Sequence, residues 1–152
     1  MATSVQDIYK RFLAQIGQDV IAELEQELAE ELMLIYLEGA ISMFDICEKD
    51  LTIENDSFKE DLTLNEQYIL ADGMILYWLK PKINTEKMID LIITTSDYNI
   101  KSPANLLDKL NTLYNDSFYK FRNKINRYSF KGKKVNKWWT ILKDIKLEHK
   151  EH

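Results

Sequence analysis

The sequence predicts a mainly α-helical protein, a small bundle of four to five helices with a long extended C-terminal arm. Three observations support this fold class. The length of 152 residues suits one domain, and only 4 Gly and 2 Pro interrupt the chain. The apolar residues, 45% of the total, mostly recur three or four positions apart, as on one face of a helix. We divide the chain into a helical domain, residues 1–128, and a basic arm that contains tryptophan, residues 129–152.

The first predicted helix runs from Ser4, whose hydroxyl suits an N-cap, to Gly17, which suits a C-terminal stop. The second runs from Asp19 to about Glu48 and has the clearest apolar stripe. Some 30 residues would form a rod of about 45 Å, so we expect it to break near Gly39 or to protrude. The apolar residues of the two stripes are Val5, Ile8, Phe12 and Ile16, then Val20, Leu24, Leu28, Leu32, Ile35, Gly39, Met43 and Ile46.

Residues 51–58 are interpreted as a structured connection without a sheet strand, with a turn at Asn55-Asp56-Ser57. Thr63 and Glu66 then form a capping box. The helix that follows is apolar on most of its circumference, which indicates the centre of the core. We expect it to end at Pro81.

The pattern over residues 85–93 fits both helix and strand. Ser102-Pro103 is typical of a helix start, and this last helix carries regularly spaced apolar residues that fade near Tyr128.

Charge is divided along the chain. The net charge is −11 over residues 1–62, +2 over residues 63–130 and +4 over residues 131–152, which gives −5 overall. This balance argues against a generic nucleic-acid binder. An acidic N-terminal region and a basic C-terminal region on one molecule favour contact between copies, or with a partner of opposite charge. The charged runs are equally consistent with solvated surfaces that keep the protein soluble.

Residues suited to catalysis are scarce. The only histidines, His149 and His152, lie at the C-terminal end, and the single cysteine, Cys47, falls on the apolar side of the second predicted helix. No glycine-rich phosphate loop is present. We therefore predict no enzyme activity, no metal and no cofactor. No secretory signal or membrane span is recognisable, so the expected location is the cytosol or a particle assembled there.

The arm combines basic residues with two tryptophans: Lys131, Lys133, Lys134, Lys137, Trp138 and Trp139. Three interpretations remain open. The tryptophans fill a pocket on a neighbouring subunit, fold back on their own core, or stack on single-stranded nucleic acid. The acidic bulk of the protein disfavours the last.

Two stretches carry a family resemblance. The first is the run from Phe58 to Ile83, FKEDLTLNEQYILADGMILYWLKPKI. The second is DYNIKSPANL, from Asp97 to Leu106, which leads into a helix that ends at NRY. Both are similar to the head–tail connector (neck) proteins of tailed bacteriophages. The order of the pieces is characteristic: a dLT-x-x-E helix start, an ILA-x-x-M-x-x-x-WL helix, then Ik-x-x-s-x-A-N-x-L.

The resemblance implies a non-catalytic virion protein whose copies form a ring, usually of twelve, on the portal protein. Such a ring extends the DNA channel and offers a platform to the next neck or tail protein. It often uses C-terminal arms to reach a neighbour or the portal, so the arm residues named above are expected at a subunit or portal interface. Genomic DNA passes through the lumen without specific binding, and no membrane is involved. An acidic wall would keep DNA phosphates from sticking, so we expect these glutamates to line part of the lumen: Glu23, Glu25, Glu27, Glu30 and Glu31. The alternatives are an acidic regulatory or DNA-mimicking protein that binds a basic partner, and a single-strand nucleic-acid binder that uses the arm.

Overall fold

The computed structural model describes residues 2–17, 24–95 and 102–131. This part of the chain contains four helices and one antiparallel hairpin, which confirms the mainly helical fold. The elements are α1 (Val5–Ile16), α2 (Gln26–Met43), β1 (Ile53–Glu54), β2 (Ser57–Phe58), α3 (Leu64–Thr95) and α4 (Ser102–Lys131). None of the described helices has a stretch long and apolar enough to cross a membrane.

Helix α1 has the predicted ends. The Ser4 hydroxyl accepts a hydrogen bond from the backbone N–H of Gln6 at 3.2 Å, and the N–H of Gly17 donates to the carbonyl of Leu13. Gly17 has a φ of +89°, a conformation that glycine adopts without steric cost. The predicted apolar face is the buried one, with Ile8 and Phe12 fully enclosed.

Helix α3 is the centre of the bundle, as its apolar sequence predicts, because it packs against each of the other three helices. Its start is the predicted capping box: the Thr63 N–H donates to Glu66 Oε2 at 2.7 Å, and the Glu66 N–H donates to the Thr63 hydroxyl at 3.3 Å. The residues that follow, among them Ile69, Leu70 and Met74, are fully buried.

The prediction that Pro81 ends this helix is wrong, since α3 continues through it to Thr95. Proline removes one N–H donor and tends to bend a helix. Here Lys80, Pro81 and Lys82 are all exposed, so the ring displaces no packed side chain. Thr85 donates its hydroxyl to the Pro81 carbonyl at 2.9 Å. The ambiguous stretch from residue 85 is therefore helical.

Helix α2 is shorter than predicted and does not break at Gly39. Its buried residues are Ala29, Met33, Leu37 and Ala40, so the predicted stripe is not the centre of the buried face, although Met43 packs against the core and Leu32 and Gly39 are half-buried. On that stripe Leu28 is 46% exposed and Ile35 is 57% exposed, whereas Val20 lies outside the described residues.

The choice of the buried face of α2 follows from close packing. A Cβ atom at Gly39 would lie 2.6 Å from the Tyr77 ring, and one at Gly73 would lie 2.8 Å from Cβ of Ala40. Small residues thus let α2 and α3 approach closely. Leu28, Leu34 and Ile35 are left on the outside, a choice of face that apolar spacing alone does not reveal.

The segment after α2 differs from prediction in two ways. Cys47 lies beyond the helix, in a turn, rather than on its apolar side. Residues 53–58 form a short hairpin rather than a connection without strands, with the turn at the predicted place. Asn55 and Asp56 have φ values of +50° and +58°, the conformation that tight hairpin turns need.

Helix α4 begins at the predicted Ser102 and continues past Tyr128 to Lys131. Its inner face includes Phe121, which is buried against the core. The predicted extended arm falls almost entirely in residues 132–152, outside the described residues.

Candidate interaction surface

The predicted lumen residues lie at and just before the start of α2. Glu25, Glu27, Glu30 and Glu31 are all exposed, while Glu23 lies outside the described residues. They do not share one face. Glu27 and Glu31 are one turn apart, Glu30 is rotated about 100° from Glu31, and Glu25 precedes the helix.

One side of α2 is both acidic and apolar. We call the following exposed residues, spaced three, four or seven apart, the acidic face: Glu27, Leu28, Glu31, Ile35 and Glu38. Helix α2 contains no lysine or arginine. Within the described part of the chain, none of the three glutamates forms an ion pair. The acidic face therefore presents uncompensated negative charge around apolar side chains that remain open to solvent.

A matching surface of opposite charge lies on α4. We call the following exposed residues, again spaced three, four or seven apart, the basic face: Leu106, Lys109, Leu113, Lys120, Arg127 and Lys131. One acid, the exposed Asp116, falls within it. The basic face has a net charge of +3 when Asp116 is counted, and two leucines that are nearly half exposed.

Of the predicted arm residues, only Lys131 is described, and it ends α4 as an exposed member of the basic face. Lys133, Lys134, Lys137, Trp138 and Trp139 lie outside the described residues. Lys131 is therefore the one predicted arm residue whose position lies within the described part of the chain.

The end of α4 is held by a buried carboxylate at the start of α3. Glu66 is 3% exposed. Besides the capping bond, it accepts a hydrogen bond from the Tyr128 hydroxyl at 3.0 Å and pairs with Lys49 at 3.1 Å. Tyr128 also accepts from the Glu48 N–H at 3.1 Å. This cluster ties α3, α4 and the turn after α2 together.

The ionisation of these groups follows from their surroundings. Burial raises the pKa of Glu66, but the bonds from Thr63, Lys49 and Tyr128 outweigh it and hold that pKa below its usual value. Burial raises the pKa of Tyr128, and its bonds to Cys47 and Glu66 add to the shift. Glu66 is therefore an ionised acceptor and Tyr128 a neutral donor at neutral pH.

A second buried carboxylate, Asp72, lies six residues further along α3 and has fewer hydrogen-bond partners. It is 2% exposed. Its Oδ2 pairs with the Lys124 ammonium from α4, and Lys124 also lies 5.6 Å from the centre of the Tyr68 ring. Its Oδ1 has no hydrogen-bond partner in the structure described. A buried acceptor without a partner is unfavourable by about 1–3 kcal/mol.

Asp72 lines a cavity of about 310 Å³ between α1, α3 and α4. Apolar side chains form most of its wall, and polar groups stand around them. The described lining residues are Gln15, Ile16, Asp72, Ile75, Trp78, Leu113, Ser117 and Lys120. Its volume lies at the lower end of the range for small-molecule pockets, about 300–1,000 Å³.

Among the residues that the structure describes, no three His, Cys, Asp or Glu residues are arranged to hold a metal ion. Cys47 is half-buried, and burial raises the pKa of its thiol, which disfavours the reactive thiolate.

Sequence reasoning missed the two buried carboxylates as functional candidates. Asp72 carried a usable signal, since it is an acid within the almost continuously apolar run from Tyr68 to Leu79. Charged residues are almost never fully buried unless they are paired. A search for acids inside apolar helices would have selected it.

Comparison of the chain with protein-family models, with curated proteins and with solved structures gives no match.

Proposed function

We propose that the protein is a structural component of the neck of a tailed bacteriophage. Its copies form a closed ring on the portal protein, extend the DNA channel and join the head to the tail. The observation that carries the proposal is the pair of oppositely charged, partly apolar faces on α2 and α4 of one molecule. Two different surfaces that fit each other generate rings when the rotation between copies closes.

The physical basis of the ring contact is complementarity. The leucines and isoleucine left open on the two faces lose contact with water on association. Opposite charges around them fix how the two faces align. They also disfavour contact between two acidic faces or between two basic faces. The resemblance of the segments 58–83 and 97–106 to neck proteins supports the same assembly.

The proposed test of assembly measures the mass of the full-length protein, alone and mixed with the portal protein of the same phage, by native mass spectrometry and electron microscopy. We expect a closed ring in at least one condition. The paired change Leu28→Glu and Ile35→Glu should abolish the ring, because it places charge in the contact. Tyr119→Glu is the matched control, since Tyr119 is 64% exposed and lies outside both faces.

A charge exchange tests which surfaces meet. Glu27→Lys with Glu31→Lys should prevent assembly, and adding Lys120→Glu with Arg127→Glu to the partner copies should restore it. A protein that stays monomeric in every mixture would contradict the proposal. So would a ring that assembles unchanged with both α2 charges reversed.

The lumen assignment requires its own measurement. Glu25 and Glu30, together with Glu23, are proposed to line part of the channel, whereas Glu27 and Glu31 belong to the acidic face that meets the neighbouring copy. Changing Glu23, Glu25 and Glu30 to Gln should leave the ring intact and slow DNA passage in assembled particles. The control changes a matched set of exposed acids on the turn, the hairpin and the segment after it, Asp50, Glu54 and Glu60. A ring with Glu23, Glu25 and Glu30 on its outer wall would contradict the assignment.

A second candidate function is an acidic protein that binds a basic partner. The observation that favours it is the uncompensated charge of the acidic face. It predicts a monomer or dimer that binds one basic protein stoichiometrically, with an affinity that falls steeply with salt. The mass measurements above separate it from the ring.

A further inference from the structure

A groove with an apolar floor runs along α3 between α1 and α4. Three residues of α3, spaced seven and three apart and each exposed or half-buried, form this floor: Tyr68, Ile75 and Trp78. The cavity of about 310 Å³ opens at Ile75 and Trp78, with Ile16 of α1 and Leu113 of α4 at its sides. The floor of the groove is therefore a strip of apolar surface with a cavity near its middle.

Cations lie along this floor. The Arg11 guanidinium of α1 lies 4.9 Å from the centre of the Tyr68 ring, and the Lys82 ammonium lies 5.0 Å from the centre of the Trp78 ring. Lys120 lines the cavity. Within the described part of the chain, none of these three cations forms an ion pair. The groove is therefore suited to a partner that brings both apolar side chains and carboxylates.

The groove and the acidic face of α2 lie on opposite sides of the molecule. On α3, Gly73 and Tyr77 are the residues that meet α2, and they are rotated by about 180° from the middle of the groove floor, at about 100° per residue. On α2, the acidic face is rotated by about 170° from the buried residues of that helix. Two complementary surfaces that point in opposite directions join copies head to tail, and such contacts generate rings.

Ring symmetry fixes the direction in which a neighbour's α2 would run along the groove. Within one copy α2 and α3 are antiparallel, because the turn after α2 is tied to Glu66 at the start of α3, whereas Gly39 lies further along at Tyr77. Neighbours in a ring of about twelve copies, the size that the resemblance implies, differ by a rotation of about 30°. A neighbour's α2 therefore also runs nearly antiparallel to the α3 that it meets.

The charges of the two surfaces match in spacing. Glu27 and Glu38, at the ends of the acidic face, are 11 residues apart, or about 16 Å along the helix. The two rings that hold the outer cations of the groove are 10 residues apart, or about 15 Å. In the antiparallel direction Glu38 lies at Arg11, and Glu27 lies at Lys82. Each end of the acidic face thus meets a cation that has no acid paired with it in the described chain.

We propose that the groove binds α2 of a neighbouring copy, with Ile35 inserted into the cavity and the carboxylates of the acidic face at the cations of the groove. With the outer charges paired, Ile35 lies at the level of Ile75, where the cavity opens. Ile35 is 57% exposed, so its burial there stabilises the contact. This inference rests on the proposed function and deepens it: the basic face forms one wall of the groove, since Leu113 and Lys120 belong to both.

Two other occupants are disfavoured by charge. Residues 132–152 of the same chain carry a net charge of +3 and would bring further cations to a cationic groove. Single-stranded nucleic acid would suit the cations, but the protein as a whole carries −5, which repels phosphates. A neighbour's α2 is acidic and contains no lysine or arginine.

The test forms a disulfide between full-length copies in a Cys47→Ser background. One population carries Ile35→Cys on the acidic face, and the other carries Ser117→Cys in the cavity. Mixed and mildly oxidised, alone and with the portal protein, the two should form a disulfide-linked dimer. Tyr119→Cys in place of Ser117→Cys is the control. It is exposed and lies outside both faces, so its yield should be about tenfold lower, because a disulfide requires closely placed Cα atoms.

A charge exchange at Lys82 tests the groove and the direction of the helix, since Lys82 lies outside the basic face. Lys82→Glu should weaken assembly about fivefold, and adding Glu27→Lys to the same chain should restore it. Glu38→Lys is the matched control. It makes the same change at the other end of the acidic face and should not restore assembly.

The outcomes separate this inference from the proposed function. A disulfide above the control level, with restoration by Glu27→Lys alone, supports it. A ring that forms with equal yields from Ser117→Cys and Tyr119→Cys, that ignores Lys82→Glu or that is restored by Glu38→Lys overturns it and leaves the ring proposal in place. Copies that never associate, alone or with the portal protein, overturn both.

Two further outcomes identify the other occupants, and each overturns the inference. A disulfide that appears only after Trp138→Ala with Trp139→Ala would assign the cavity to the C-terminal segment of the same chain. A disulfide that a single-stranded oligonucleotide prevents, with loss of the ring, would assign the groove to nucleic acid.

Discussion

Two carboxylates on α3 are almost equally buried, and each pairs with a lysine, yet their surroundings differ. Glu66 accepts bonds from the Thr63 N–H, the Tyr128 hydroxyl and Lys49. Asp72 pairs with Lys124 alone, and its Oδ1 has no partner in the structure described. A fully bonded carboxylate stabilises the fold that surrounds it, whereas an incompletely bonded one leaves capacity for a further donor.

The positions of the two groups agree with this division. Glu66 lies in the first turn of α3 and joins three segments of the chain. Loss of its carboxylate would leave a lysine, a tyrosine and a helix end without their acceptor at once. Asp72 lies beside a cavity that opens between helices. We therefore assign Glu66 to stability, whereas Asp72, with one oxygen unbonded in the structure described, contributes less to the fold.

Replacing Glu66 by Ala should have the largest effect on stability. It leaves Lys49, the Thr63 N–H and the Tyr128 hydroxyl without their acceptor, and we expect the free energy of unfolding to fall by about 3 kcal/mol. The matched Asp72→Ala change should lower it by only about 1 kcal/mol, since Lys124 is partly exposed and can regain water. Urea unfolding of both variants gives the comparison. Equal losses would contradict the assignment of different roles.

Replacing Tyr128 by Phe should have an intermediate effect. The change removes the donor to Glu66 and the acceptor for the Glu48 N–H but keeps the ring, whose centre lies 5.0 Å from that of Phe44. We expect a loss of about 1–2 kcal/mol in the free energy of unfolding. Tyr119→Phe is the control, because Tyr119 is exposed and should cost nothing measurable. A loss no larger than that of the control would show that the Tyr128 hydroxyl does not stabilise the Glu66 cluster.

The contrast between the two carboxylates also marks what local sequence can reveal. The Thr63 and Glu66 capping box was predicted because both bonds join residues three positions apart. The bond from Tyr128 joins residues 62 positions apart, and no local pattern encodes it. Likewise, α1 was predicted with both ends because its caps are local, whereas the buried side of α2 depends on how closely Ala40 and Gly39 let α3 approach.

The same distinction explains the errors at Pro81 and in the candidate site. Proline usually ends a helix, but whether it does so depends on what packs around it, and here its neighbours are exposed. The acidic and basic faces were foreseen only as a charge division along the chain. That leucines and an isoleucine stand among those charges is a consequence of which helix faces the core takes.

The pH dependence of stability should show the smallest difference. The pKa of Glu66 in the folded state is below its unfolded value of about 4.3, so its contribution is complete above the unfolded pKa and is lost as the pH falls through the folded one. Between pH 6 and pH 3 we expect the Glu66→Gln variant to lose less stability than the parent protein, as measured by urea midpoints at each pH. Glu54→Gln provides the control, because Glu54 pairs with Lys59 at an exposed site where ion pairs contribute little. If Glu66→Gln followed the parent curve, the bonds to Thr63, Lys49 and Tyr128 would not depend on the ionised form. Glu66 would then lose its distinction from Asp72 as the carboxylate whose charge stabilises the fold.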